Sequence, residues 1–188
     1  MKKFQFNETP IEGLYLIEQK VFKDERGYFM ESYNHREFKE AGLNSLFVQD
    51  NQSKSKKGVL RGLHFQRKYP QDKLVRVLKG EVFDVAVDLR KDSESFGQWF
   101  GCILSENNKK QLYIPKGFAH GFLVLSDEAE FLYKCTEFYH PEDECGIIWN
   151  DPDINIHWPQ DPIDEIILSD KDKHWMYFSE YKMRNDNL

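Results

Sequence analysis

The 188-residue chain is poor in cysteine and has no block of positive charge, and each absence excludes a class of protein. Its three cysteines, Cys102, Cys135 and Cys145, are an odd number, and none of them forms a C-x-x-C pair. They are expected to be free thiols in a reducing, cytoplasmic setting. The formal net charge of −6 argues against binding bulk nucleic acid or a membrane surface. It leaves room for one anionic small molecule held by a few local arginines and lysines. No run approaches the roughly 18 apolar residues of a membrane span. The opening MKKFQFNETPIEG has lysines but no apolar run behind them, so it does not read as a signal peptide. Walker loop, dinucleotide glycine fingerprint and G-x-S-x-G elbow are all missing.

What is present points to a packed interior. Aromatics make up 15% of the residues, too many for a disordered chain. The length suits a single domain, residues 1–188, and no repeat, linker or low-complexity tract divides it. Asn34-His35-Arg36-Glu37 fits a capping box opening a helix, with Phe38 and Leu43 on its apolar side and Gly42 as its stop. Most other segments read as strands. They are GLYLIEQKVF, KLVRVL, VFDVAVDL, QLYIP, GFLVL and EFLYKCTEFY. Lys79-Gly80-Glu81 reads as a hairpin turn joining KLVRVL to VFDVAVDL. Short strands at short spacing predict an all-β antiparallel sandwich or barrel. From Asp161 onward the expectation is loop plus a short helix.

Four stretches hold candidate chemistry. VLRGLHFQ places Arg61 and His64 in an apolar strand. On a regular strand the two point to opposite faces. A bulge at Gly62 would bring both inward, and a core histidine beside an edge arginine is the plainer alternative. In EFLYKCTEFYH, Tyr133 shares a strand face with Phe131, Cys135, Glu137 and Tyr139. Two phenols there suit a pocket, or a packed core with hydroxyls reaching the surface. IPKGFAHGF sets His120 between Ala119 and Gly121, where a ligand or an ordinary turn would fit. KDERGYFMES sets Arg26 and Glu31 around Tyr28 and Phe29, which suits a nucleotide or a solvated edge. The six histidines form no H-x-H pair and no ligand cluster, so the site is expected to hold no metal.

Taken together, the stretches resemble one family over nearly the whole chain. DERG-Y-F-x-E-S, VQDNQSKS, VLRGLHFQ, KLVRVLKGEVFDVAVDLRKDS, FGQWFG, LYIPKGFAHGF, YKCTEFYHPEDECGIIWNDP and ILSDKD occur in order and at the spacings of the cupin-fold nucleotide-sugar epimerases, specifically the dTDP-4-dehydrorhamnose 3,5-epimerase family. The resemblance implies a double-stranded β-helix, the cupin jelly roll, with a few short helices. It implies a general base at His64, paired with Asp172, with Asp170 two residues away as the alternative. It implies a proton donor at Tyr133 and a lysine near the keto oxygen at Lys73. Arg61 and His120 match sugar and phosphate contacts. Arg26, Glu31, Gln49, Asp50, Asn51, Glu144 and Lys171 match nucleotide-sugar contacts, with Tyr139 as a stacking partner. Residues after Lys173 fit no family pattern.

The implied substrate is a dTDP-4-keto-6-deoxyhexose, epimerised at C3 and C5 on the way to dTDP-L-rhamnose and surface polysaccharide. No cofactor is implied, because the reaction involves no net oxidation or reduction. A homodimer sharing strands near the N-terminus is implied, with Arg26 and Glu31 reaching the neighbour's site. The rivals are a relative of the same family that inverts only C3 or acts on another nucleotide sugar, a non-catalytic sugar-binding cupin and a metal-dependent cupin enzyme.

Overall fold

The computed structural model describes residues 2–161 and 163–183. In chain order the strands are β1 (Phe4–Glu8), β2 (Tyr15–Gln19), β3 (Phe22–Asp24), β4 (Gly27–Phe29), β5 (Gln49–Lys56), β6 (Leu60–Gln66), β7 (Lys73–Lys79), β8 (Glu81–Asp88), β9 (Trp99–Ser105), β10 (Gln111–Ile114), β11 (Phe118–Val124), β12 (Glu128–Cys135) and β13 (Glu144–Gly146). Two short α-helices, α1 (His35–Glu40) and α2 (Phe178–Met183), and one 3-10 turn (Pro141–Asp143) complete the set among the described residues. One sheet has the order β1-β2-β10-β7-β12-β5, the other β13-β6-β11-β8-β9, and β3 pairs only with β4. The fold is all-β, a cupin jelly roll.

Each sheet is covered on its inner face and on part of its outer face, which explains the apolar strands, while the outer side of β5 stays exposed. Between the sheets pack Val75, Val77, Leu112, Phe131, Val82 and Phe122. The outer face of the five-stranded sheet, with Leu63, Val85 and Val87, is covered by Ile147, Ile154, Phe178 and Tyr181. The tail therefore forms part of the core. The outer face of the six-stranded sheet receives Phe38 of α1, which is 1% exposed. Asn34 caps that helix, its side-chain oxygen accepting from the N–H groups of Arg36 (3.1 Å) and Glu37 (3.3 Å). Such a cap is worth about 1 kcal/mol. Glu37 does not close the reciprocal half of the box: its carboxylate accepts instead from the Lys3 backbone N–H at 2.9 Å.

Several expectations are corrected here. Lys79-Gly80-Glu81 is not a hairpin. β7 and β8 lie in different sheets, so the chain changes sheet there. Gly80, at φ +77, passes so close to Glu128 that an added Cβ would lie 2.1 Å from its carbonyl oxygen. GLYLIEQKVF divides between β2 and the start of β3, and β1, not expected, precedes it. β12 stops at Cys135, short of Tyr139, and His120 lies inside β11 rather than in a turn.

The bulge weighed for β6 is present. His120 pairs with His64 and Phe122 with Arg61, so three steps along β6 face two along β11. The extra residue reverses the strand's parity and puts Arg61 and His64 on one side. Gly62, at φ +129, and Gly121 permit it. A Cβ on Gly62 would lie 2.5 Å from the Gly121 Cα, and one on Gly121 would lie 2.6 Å from the Arg61 carbonyl oxygen. Gly62→Ala is expected to lower stability by about 2 kcal/mol or more, through backbone strain and overpacking. An unchanged urea midpoint would show that β6 accepts a side chain there.

Candidate active site

A cavity of about 600 Å³ opens between the sheets, and Arg61, His64, Lys73, His120, Tyr133 and Asp172 all line it. β6 and β11 bring in Arg61, His64 and His120 from one sheet. β7 and β12 bring in Lys73 and Tyr133 from the other. Asp172 arrives from the tail. Gln49, Asn51, Tyr139, Glu144 and Lys171 also line the cavity.

His64 is the centre of the polar network. Its Nε2 lies 2.5 Å from Asp172 Oδ1. The same oxygen accepts from Trp175 Nε1 at 3.1 Å, and Oδ2 accepts from Ser169 Oγ at 2.8 Å. Burial raises the Asp172 carboxyl, but the hydrogen bonds from His64, Ser169 and Trp175 outweigh it and hold the group below its ordinary value. Asp170, the alternative partner, points away: its side chain is 96% exposed and pairs with Lys173. With Nε2–H donating to Asp172, Nδ1 keeps its lone pair. Glu144 Oε1 lies 3.7 Å from Nδ1. Burial pushes the His64 ring below its ordinary pKa, Asp172 opposes this, and Lys73 and Lys171 add to the lowering. A ring shifted in that direction is neutral near pH 7.

The other groups are tuned in kind. Burial lowers Lys73, while Cys135 and Asp84 pull it back up. Burial, helped by Cys135, raises the Tyr133 phenol, so it stays protonated near neutral pH. Arg61 Nε donates to Ser55 Oγ at 3.1 Å. At the cavity mouth Tyr139 OH donates to Glu144 Oε2 at 2.7 Å, and Lys171 forms an ion pair with the same carboxylate. Tyr139 reaches the cavity from beyond β12, so the shared strand face expected for the two phenols is not what joins them.

Three candidates stand apart from this cavity. Asp50 alternates with Gln49 and Asn51 on β5, and its carboxylate pairs with Lys134 at 2.9 Å. The Arg26 side chain is 86% exposed and pairs with Asp24 beside the β3–β4 turn. Glu31 pairs with Lys3 and accepts from Asn34 Nδ2 at 2.9 Å.

Sequence reasoning missed Asp84, Ser169 and Trp175. Asp84 is fully buried. It breaks the apolar alternation on the Val82–Ala86 face of β8, and that was the available signal. Ser169 and Trp175 lie in a polar tail whose periodicity carries none. Among the described residues, no group of three or more His, Cys, Asp or Glu side chains could hold a metal ion.

Comparison with known proteins places these residues in context. The family model described as dTDP-4-dehydrorhamnose 3,5-epimerase matches residues 8–180. The dTDP-4-dehydrorhamnose 3,5-epimerase of Methanothermobacter thermautotrophicus is 58% identical over 175 residues, 93% of this chain and 95% of that protein. The Escherichia coli protein of the same name is 58% identical over 174 residues, 92% of this chain and 93% of that protein. The crystal structure of a Legionella pneumophila dTDP-6-deoxy-D-glucose-3,5-epimerase in complex with dTDP-4-keto-L-rhamnose superposes with a TM-score of 0.90. It shares 50% identity and covers 97% of this chain and 95% of that one.

The electrostatics give a test that needs no substrate. In an NMR titration the His64 ring is expected to protonate below the ordinary histidine range. Asp172→Asn, which removes the opposing charge, should lower the midpoint further. A midpoint that rises in the variant would contradict the balance between burial and the Asp172 charge.

Proposed function

The chain belongs to the dTDP-4-dehydrorhamnose 3,5-epimerase family and is an isomerase, and from that premise we propose how its cavity epimerises dTDP-4-dehydro-6-deoxy-D-glucose at C3 and C5. The observation that carries the proposal is the half-buried His64, its Nε2 2.5 Å from Asp172 Oδ1, in one cavity with Lys73 and Tyr133.

The C4 carbonyl of such a sugar makes the hydrogens on C3 and C5 weakly acidic. His64 Nδ1 takes the proton, and the electron pair left on carbon moves into the C4 carbonyl to give an enolate with its charge on O4. Asp172 fixes the ring through Nε2 and stabilises the imidazolium as it forms. Base help of this kind is worth roughly 10²–10⁴ in rate. Lys73 stabilises the oxyanion, and loss of one such donor costs about 2.7–4 kcal/mol. Tyr133 then gives its phenolic proton to the carbon from the other side, which inverts it. Solvent restores both groups, so protons balance over each inversion. No cofactor enters, because no electrons leave the substrate.

Gln49, Asn51, Glu144, Lys171 and Tyr139 form the nucleotide-sugar end of the cavity in this reading, with Arg61 beside the diphosphate. Arg26 and Glu31 complete the site of a second subunit in a homodimer. That assignment is supported by the β3–β4 ribbon, which has no third strand among the described residues and leaves Tyr28 55% and Phe29 66% exposed. Asp50 borders the same region from the opposite face of β5. Free thiols suit a cytoplasmic setting.

Incubation with the 4-keto sugar in D₂O, without added metal, is expected to place deuterium at both C3 and C5 by mass spectrometry. Label at C3 alone would make this a single epimerase, and no label would reject the substrate. His64→Ala should lose about 10²-fold or more in turnover while retaining dTDP binding. Tyr133→Phe should exchange the carbon-bound proton yet invert slowly. Normal inversion in that variant would remove Tyr133 as donor.

A further inference from the structure

Asp84 enters the mechanism above only through its charge on Lys73, yet its hydrogen bonds go to a different residue. It lies on β8 between Val82 and Ala86, both fully buried, and is itself 0% exposed. A carboxylate among such neighbours is costly to bury unless it is paired. Both its oxygens lie within hydrogen-bond distance of His120 Nε2, at 3.1 and 3.0 Å. The pair is diagonal across neighbouring strands, since Asp84 stands opposite Phe122 and His120 opposite Ala86. On its other side β11 pairs with β6, where His120 stands directly across from His64. Two histidines thus sit side by side at one cavity, each held from behind by a buried aspartate.

We propose that Asp84 is a positioning residue that fixes His120 as a hydrogen-bond acceptor for a sugar hydroxyl next to the reacting carbons. In this proposal the ring is neutral and Nε2 spends its hydrogen on Asp84, so Nδ1 is left with a lone pair. A lone pair accepts from a hydroxyl and repels a phosphate oxygen. The ring therefore belongs to the sugar, and the diphosphate falls to the cations Arg61 and Lys171. By holding the hydroxyl beside His64, His120 presents the C–H bonds to the base. The inference rests on the epimerase reading.

The test combines Asp84→Asn with substrate analogues. ¹⁵N-histidine NMR of the free protein should show His120 protonated at Nε2 in the wild type. The variant should change that signature, because a neutral amide no longer demands one tautomer. In the wild type, kcat/KM for deuterium exchange at C5 should fall at least about tenfold when either the C2 or the C3 hydroxyl is absent from the 4-keto sugar. Asp84→Asn should lose a similar factor on the parent sugar and show little further loss on that analogue, the non-additivity expected of groups acting through one contact. A merely structural aspartate would lower the melting temperature and leave the analogue penalty intact. An unchanged tautomer, or no penalty for either analogue in the wild type, would overturn the proposal. If the wild type exchanges no deuterium with the parent sugar, the epimerase reading fails and the hydroxyl role with it. The NMR result, which needs no turnover, still decides whether Asp84 sets the tautomer.

Discussion

Strand β6 carries one residue more than β11 allows between two points of their pairing, and the cavity depends on that excess. A regular strand alternates its side chains, so residues three apart can never share a face. The added residue cancels the alternation once, and Arg61 and His64 both turn inward. The backbone must then run close against its neighbour, which leaves no room for a Cβ on Gly62 or Gly121. A local departure from ideal pairing is what lets an apolar strand deliver two polar groups to one place.

Polar groups inside a sandwich need partners, and the chain supplies them from a distance. Asp172 lies 108 residues from His64 in sequence. It reaches the ring because Phe178 and Tyr181 bury themselves against the outer face of the five-stranded sheet and draw the tail across it. Seating the tail therefore completes both the hydrophobic core and the charge network. Loss of the tail's packing would leave the half-buried His64 without its carboxylate, an outcome more damaging to the site than to the rest of the sheet.

How much of this could be read beforehand depended on whether the signal was local. β8 and β12 showed their alternation, and the helix at Asn34 showed its cap, because neighbours in sequence settle such features. The bulge could be named as an option from Gly62 alone, but choosing it required β11, and nothing in VLRGLHFQ says which strand lies alongside. Gly80 misled for the same reason. A glycine at φ +77 serves a hairpin and a sheet-to-sheet crossover equally well, and only the partner strands tell them apart. The aspartate paired with His64 stayed open between two positions two residues apart. Solvent exposure of Asp170 and burial of Asp172 decide it, and burial in an irregular tail leaves no periodic trace. Asp84 is an exception to an apolar pattern, but a lone polar residue on an otherwise clean strand does not reveal which partner it meets.

The two-layer architecture has a consequence for stereochemistry. Inverting a carbon requires a proton to leave one face and another to arrive at the opposite face, so acceptor and donor must stand on different sides of the sugar ring. His64 is carried by β6 in the five-stranded sheet, and Tyr133 by β12 in the six-stranded sheet. A flat ring lying between the layers would meet the base on one wall and the phenol on the other, with no side chain having to move. Lys73 stands beside Tyr133 on the second wall, and His120 beside His64 on the first. A single sheet, or a site built on one loop, would have to carry its donor across the substrate. Two facing sheets supply opposed chemistry by construction, and in the reading proposed above this makes the jelly roll a suitable frame for epimerisation without a cofactor.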